Sequence, residues 1–101
     1  MTYLNYTPHT INLNDGRSFP SVGLARVSSS FSPIVDDVCG VLYGVVTGLP
    51  DPQDGVKIIV SAMIINANAD DRDDLVAPAT GHPDTIRNDK GHIVSVPCFV
   101  R

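Results

Sequence analysis

The chain has 101 residues, 43% hydrophobic and 18% charged, which suits one modest core and is too apolar for a wholly disordered polypeptide. A net charge of −4 argues against a general nucleic-acid binder, because such proteins carry a basic excess. No apolar run approaches the roughly 20 residues of a membrane span, and the start MTYLNYTPHT has neither the basic nor the apolar region of a signal peptide, so a cytoplasmic protein without membrane contact is expected.

All eleven acidic residues are Asp, only two Lys are present, Val and Ile together number 21, and Gly and Pro add 16. Asp, Gly and Pro favour turns, and β-branched side chains fit a pleated sheet. The expected fold is α+β: a predominantly antiparallel β-sheet with one short helix, in a single domain over residues 1–101.

In chain order, residues 2–6 (TYLNY) and 10–13 (TINL) read as short strands around Thr7-Pro8-His9. Asn14-Asp15-Gly16 is the strongest hairpin signal, because Asp-Gly tolerates positive φ. Residues 18–23 read as an extended segment plus turn, and 24–27 (LARV) as a strand with Arg26 facing away from Ala25 and Val27. Residues 28–37 (SSSFSPIVDD) are polar, without periodicity, and read as a mobile loop.

Residues 38–49 predict one long strand. Gly40, Gly44 and Gly48 fall at every second position of one face and notch it, either for close packing of another element or for a flat ligand or a partner's backbone. The turn at 50–55 then makes residues 38–49 and 56–60 expected antiparallel neighbours. Residues 56–60 (VKIIV) are nearly continuous in apolar character, as in a central strand covered on both sides. Beyond them a continued strand stays open, but Ala, Met and Asn favour a short helix over 62–69 with Ser61 as its cap.

Residues 70–74 (DDRDD) read as a charged loop, 75–78 as a short extended piece, 79–84 as a loop and 85–87 as a strand entering the 88–91 turn. Residues 92–100 (HIVSVPCFV) predict a closing strand that Pro97 places at an edge or bulge. Cys39 and Cys98 are expected as buried reduced thiols.

Four stretches also carry a likeness. They are Asn5-Tyr6-Thr7-Pro8-His9; Ala25-Arg26-Val27; Gly48-Leu49-Pro50 with Ile59-Val60-Ser61; and Arg72-x-Asp74-Leu75-x-Ala77-Pro78 followed by Ile86-Arg87 and Gly91-x-Ile93. In this order the chain resembles a family of small uncharacterised phage, prophage and bacterial proteins of about its own length. The family pattern has Arg-Asp-x-x-Gly near the end, where this chain has Arg87-Asn88-Asp89-Lys90-Gly91, which withholds any role from Asp89. What the resemblance implies is a phage context and a host-cell cytoplasm.

Arg26, Arg72 and Arg87 sit inside the resembling stretches, and a guanidinium fork suits phosphate. Free N–H groups after Ser61 would add to such a clamp. Thr7 and His9 are turn candidates facing the ligand, and Tyr43 or Tyr6 could stack on a base. The plainer alternative pairs each arginine with nearby aspartates. His9, His82 and His92 lack metal-ligand spacing, the 70–74 run lacks the order of a calcium loop, and no nucleophile motif surrounds Ser61 or either cysteine.

With the implied phage context, the expected function is sequestration, without catalysis or cofactor, of a phosphorylated nucleotide-type host immune signal such as a cyclic nucleotide or ADP-ribose derivative. The ligand-binding set is Arg26, Arg72, Arg87, Ser61, His9, Thr7 and Tyr43, in a homo-oligomer that binds no nucleic-acid polymer. The alternatives are a structural or host-protein interaction module and a small nucleotide hydrolase or lyase.

Overall fold

A computed structural model describes residues 1–67 and 72–101. In chain order its elements are β1 (Thr2–Asn5), β2 (Ile11–Asn12), β3 (Ser18–Phe19), β4 (Arg26–Phe31), β5 (Val41–Thr47), β6 (Val56–Ile59), α1 (Ala62–Ala67), β7 (Leu75–Pro78), β8 (Ile86–Arg87), β9 (Ile93–Ser95) and β10 (Phe99–Val100). The β-rich composition with one short helix is as expected. Residues 68 and 69, the expected end of that helix, and Asp70 and Asp71 of the charged loop lie outside the described residues.

The main sheet has the order β1-β6-β7-β10. β6 is central and buried, as its apolar run requires. Its neighbours β1 and β7 are both parallel to it, and β10 runs antiparallel to β7 at the edge. The sheet is therefore partly parallel rather than predominantly antiparallel. The expected antiparallel pairing of residues 38–49 with 56–60 does not occur. α1 carries the chain from β6 back to the start of β7, and such a crossover makes the two strands parallel.

Register fixes the two sheet faces. Tyr3 lies beside Lys57, Ile59 beside Val76, and Pro78 beside Phe99, so these six side chains share one face. Ile58 and Leu75 take the opposite face, where they cluster with Ala25, Val60 and Ile64 of α1. Leu4, Tyr6, Val27 and Val46 pack around that cluster. Ile58, Ile59 and Val60 are completely buried.

On the Tyr3 face lies the β2–β3 hairpin, turned at Asp15-Gly16 with Gly16 at φ 96°. Leu13 bridges to Val96 and both are buried. The Asn5-Tyr6-Thr7-Pro8-His9 stretch forms a knot beside it. The fully buried Asn5 amide donates from Nδ2 to the carbonyls of His9 and Phe19, each at 2.7 Å. Its Oδ1 accepts from the Thr7 N–H at 2.9 Å and from Thr7 Oγ1 at 2.6 Å. Asn is required because donor and acceptor sit on one short side chain.

β4 and β5 form a separate two-stranded arm. Residues 28–31, expected in a mobile loop, are strand, and β5 begins only at Val41. A serine-rich strand exposed on both faces has no alternation to betray it. A bulge lies between Val27/Val46 and Ser29/Tyr43. The notches are filled by chain: a Cβ on Gly44 would overlap Ser28 Oγ, and one on Gly48 (φ 89°) would overlap the Leu24 carbonyl. Residues 92–100 divide into β9 and β10 because Pro97 interrupts the ladder. Cys39 and Cys98 are free but exposed, contrary to the expected burial. Among the described residues no helix is long and apolar enough to cross a membrane.

Candidate functional site

The alternation that places Tyr3, Lys57, Val76 and Phe99 on one face also builds a cavity there. Its volume is about 360 Å³, and Leu13, Arg17, Pro97, Cys98 and Arg101 complete its walls. Tyr3 and Phe99 have ring centroids 5.0 Å apart, and Phe19 meets both edge-on at 5.7 and 5.8 Å. Such an aromatic group is rigid and offers stacking faces.

Three cations surround this aromatic wall. Lys57 Nζ lies 3.4 Å from the Asp73 carbonyl, and Arg101 Nη2 donates to the same oxygen at 2.6 Å, so the two charges converge on one point. Among the described residues neither forms an ion pair with a carboxylate. Arg17 is held by Asp15, Nε to Oδ2 at 2.9 Å, in an exposed pair that leaves its terminal nitrogens uncommitted. The Arg17 backbone N–H, followed by its guanidinium, holds the Asp15 carboxyl below its usual range. Converging cations beside an aromatic wall suit an anion attached to a planar ring.

Neither hollow described among these residues gathers the residues expected to bind ligand. Arg72 forks onto Asp74, with Nε–Oδ1 at 2.9 Å and Nη2–Oδ2 at 2.6 Å, and both side chains are largely buried. This hydrogen-bonded pair holds the Asp74 carboxyl below its usual range and raises Arg72. Arg87 donates to the carbonyls of Gly91 and Thr80, closing the 88–91 turn. Arg26 is exposed at the base of the arm. None of the three lines the cavity just described. Ser61 precedes α1, whose six residues are too short to offer a terminal anion site, and its carbonyl accepts from Ile64. Tyr43 stands on the arm, and Thr7 is spent on Asn5.

His9 borders a second hollow, a space of about 280 Å³ lined largely by Ile11, Pro78, Ile93, Val94 and Val96. His82 Nδ1 is taken by the Asp84 N–H at 3.0 Å. Among the described residues no group of three or more His, Cys or Asp side chains is placed to hold a metal. The residues that sequence reasoning missed are Arg17, Lys57 and Arg101. One signal was present: Lys57 is the lone charge in the apolar run 56–60, and a charge in a central strand must open onto solvent or a cavity.

These features define a small mixed β module with an aromatic and cationic hollow on one sheet face. Comparison with protein-family models, with curated proteins and with solved structures finds no match.

Proposed function

We propose that the protein captures a small anionic molecule bearing a planar ring, of the phosphorylated nucleotide type, and holds it without chemical change. The observation that carries this reading is the union of an aromatic wall and three cations around one hollow of about 360 Å³. That volume lies within the ordinary range for small-molecule sites. The chain is acidic overall, yet three of its seven Lys and Arg side chains face this one space. Tyr3 and Phe99 would stack against the ring; Lys57 and Arg101 would meet the anion, and Arg17 would close the rim. A host nucleotide signal such as a cyclic nucleotide or ADP-ribose derivative has this chemistry.

The test is calorimetry and thermal shift of the full chain with inorganic phosphate, nucleoside phosphates, cyclic nucleotides and ADP-ribose. The expected result is binding by a ring-bearing phosphate in preference to phosphate alone, weakening as salt rises. Lys57→Ala should weaken it about tenfold, the loss of one charge-assisted hydrogen bond, while Arg26→Ala, outside the cavity, leaves it unchanged. The ligand should be recovered intact. A panel without a single binder, together with no small molecule copurifying from cells, would defeat the reading; turnover of the ligand would replace capture with catalysis.

A further inference from the structure

Asp-Gly occurs twice in the chain, at Asp15-Gly16 and at Asp54-Gly55. In such a pair the glycine nitrogen can reach the preceding side-chain carboxyl, because no Cβ stands in its way. Both pairs are exposed, and a Cβ on either glycine would meet nothing within 4 Å. The fold nevertheless treats them differently. At the first pair both reacting groups are engaged. The Gly16 N–H donates to the Leu13 carbonyl at 3.0 Å. The Asp15 carboxylate accepts from the Arg17 N–H through Oδ1 at 3.0 Å and from Arg17 Nε through Oδ2 at 2.9 Å. Those bonds hold its carboxyl below the usual range, and an ionised carboxylate is a poor electrophile. At the second pair, among the described residues, the Asp54 carboxylate forms no ion pair and the Gly55 N–H has no backbone acceptor. The turn there is closed by the Val56 N–H on the Gln53 carbonyl at 3.2 Å.

We propose that Asp54-Gly55 is a site of spontaneous isoaspartate formation, from which Asp15-Gly16 is protected, and that the change loosens the start of the β1–β6 pairing. The Gly55 nitrogen attacks Cγ of the protonated Asp54 carboxyl. The new C–N bond replaces the C–OH bond, and the hydroxyl leaves with the amide proton as water. Water then opens the five-membered imide. Cleavage between Cγ and nitrogen restores Asp; cleavage at the α-carbonyl leaves the chain running through Cγ, with one extra methylene in the backbone. No oxidant, reductant or second reactant enters, and the product has the mass of the starting chain. The position matters because the Gly55 carbonyl accepts the Thr2 N–H at 2.8 Å, immediately before the Thr2–Val56 and Tyr3–Lys57 pairings. A backbone lengthened at 54 spreads the 53–56 turn and carries that acceptor out of line. The inference rests on the turn alone and stands apart from the capture reading.

The experiment is prolonged incubation of the full chain in mildly acidic buffer, folded and in urea. Peptide mapping follows, with an endoproteinase that cuts before Asp but not before isoaspartate. In the folded chain isoaspartate should build up at 54 about tenfold faster than at 15, where hydrogen bonds must open first. In urea the two rates should converge, and in neutral buffer the reaction at 54 should slow, since the protonated carboxyl is the reactive form. The isoaspartate chain, separated by ion exchange, should melt about 4–8 °C below fresh protein, the shift of one lost net hydrogen bond in a domain of this size. Asp54→Glu, whose longer side chain closes an imide far more slowly, should keep its melt through the same incubation. Absence of isoaspartate at 54, equal rates at the two pairs in the folded chain, or a difference that survives in urea each overturns the proposal. So does an isoaspartate chain that melts with the fresh one. Should Asp54→Glu fail to fold, the wild-type comparison decides alone.

Discussion

Replacing Asn5 by Asp tests the knot that ties β1 to the following turn. The two side chains have almost the same shape, so the change is one of hydrogen-bond donors. Nδ2 donates at 2.7 Å to the His9 and Phe19 carbonyls, and a carboxylate oxygen there would face two carbonyl oxygens instead. Two bonds are lost, each worth about 1 kcal/mol net. The protonated carboxyl can still donate to one carbonyl, so the cost near pH 3 should be only about 1–2 kcal/mol. At neutral pH the buried charge adds to it. Burial and the two carbonyls raise the folded-state pKa of the introduced Asp above its unfolded value of about 3.9. The penalty is therefore absent below the unfolded pKa and grows by about 1.4 kcal/mol per pH unit until the folded pKa is reached. A shift of 2 units or so, well short of the 3–5 recorded for fully buried groups, gives a total near 4–5 kcal/mol at pH 7. Small domains have about 5–15 kcal/mol in all. Urea unfolding of both proteins at a series of pH values between 3 and 7 gives the difference directly, because the native aspartates titrate in both. A difference below about 0.5 kcal/mol at neutral pH, or one that does not widen with pH, would refute the structural role assigned to Asn5.

Further outcomes follow from the same geometry. The Arg72–Asp74 pair keeps the Asp74 carboxyl low, so its stabilisation is present above the unfolded pKa of about 3.9 and is lost as pH falls through the depressed folded value. Arg72→Met should cost about 2–3 kcal/mol, and Arg72→Met with Asp74→Leu less, since no buried charge is stranded; a double-mutant cycle in urea measures the coupling. Gly48→Ala should destabilise by at least 2 kcal/mol or so, because φ is 89° and the new Cβ meets the Leu24 carbonyl; a thermal melt reads it. Ile58→Ala should cost about 2–5 kcal/mol by leaving a void in the core, whereas Arg87→Ala, an exposed turn residue, should stay within about 0.5 kcal/mol in the same denaturation assay.

The sequence made some of this legible and hid the rest for physical reasons. Residues 56–60 announced a central strand because an uninterrupted apolar run is stable only when covered on both sides. Asp15-Gly16 and the 88–91 turn were readable because their conformations demand those residues: Gly16 and Gly91 both have positive φ. Ser61 with the Ala and Met that follow located the start of α1. Strand direction was not readable, because nothing in residues 56–60 distinguishes a parallel from an antiparallel neighbour; that depends on what the intervening helix does. The strand read at 24–27 was not carried on to Phe31, the end of β4, because Ser28, Ser29 and Ser30 make a strand with water on both sides. For the candidate site, arginines were favoured for their forked chemistry, yet Arg72 has an acceptor two residues away in Asp74, and local partners are met before distant ones. Lys57 received no attention because its neighbours are apolar, although that is the setting in which a charge has to be explained.

The register of the central strand separates two properties of the molecule at adjacent positions. Lys57 opens onto the aromatic hollow, and Ile58 is sealed on the opposite side of the same ribbon. A selection experiment that varies these two codons together would therefore record them as independent traits: drift at one would alter the charge of the hollow, and drift at the other whether the chain survives. Evolution can retune one face of such a sheet one residue at a time without dismantling the other.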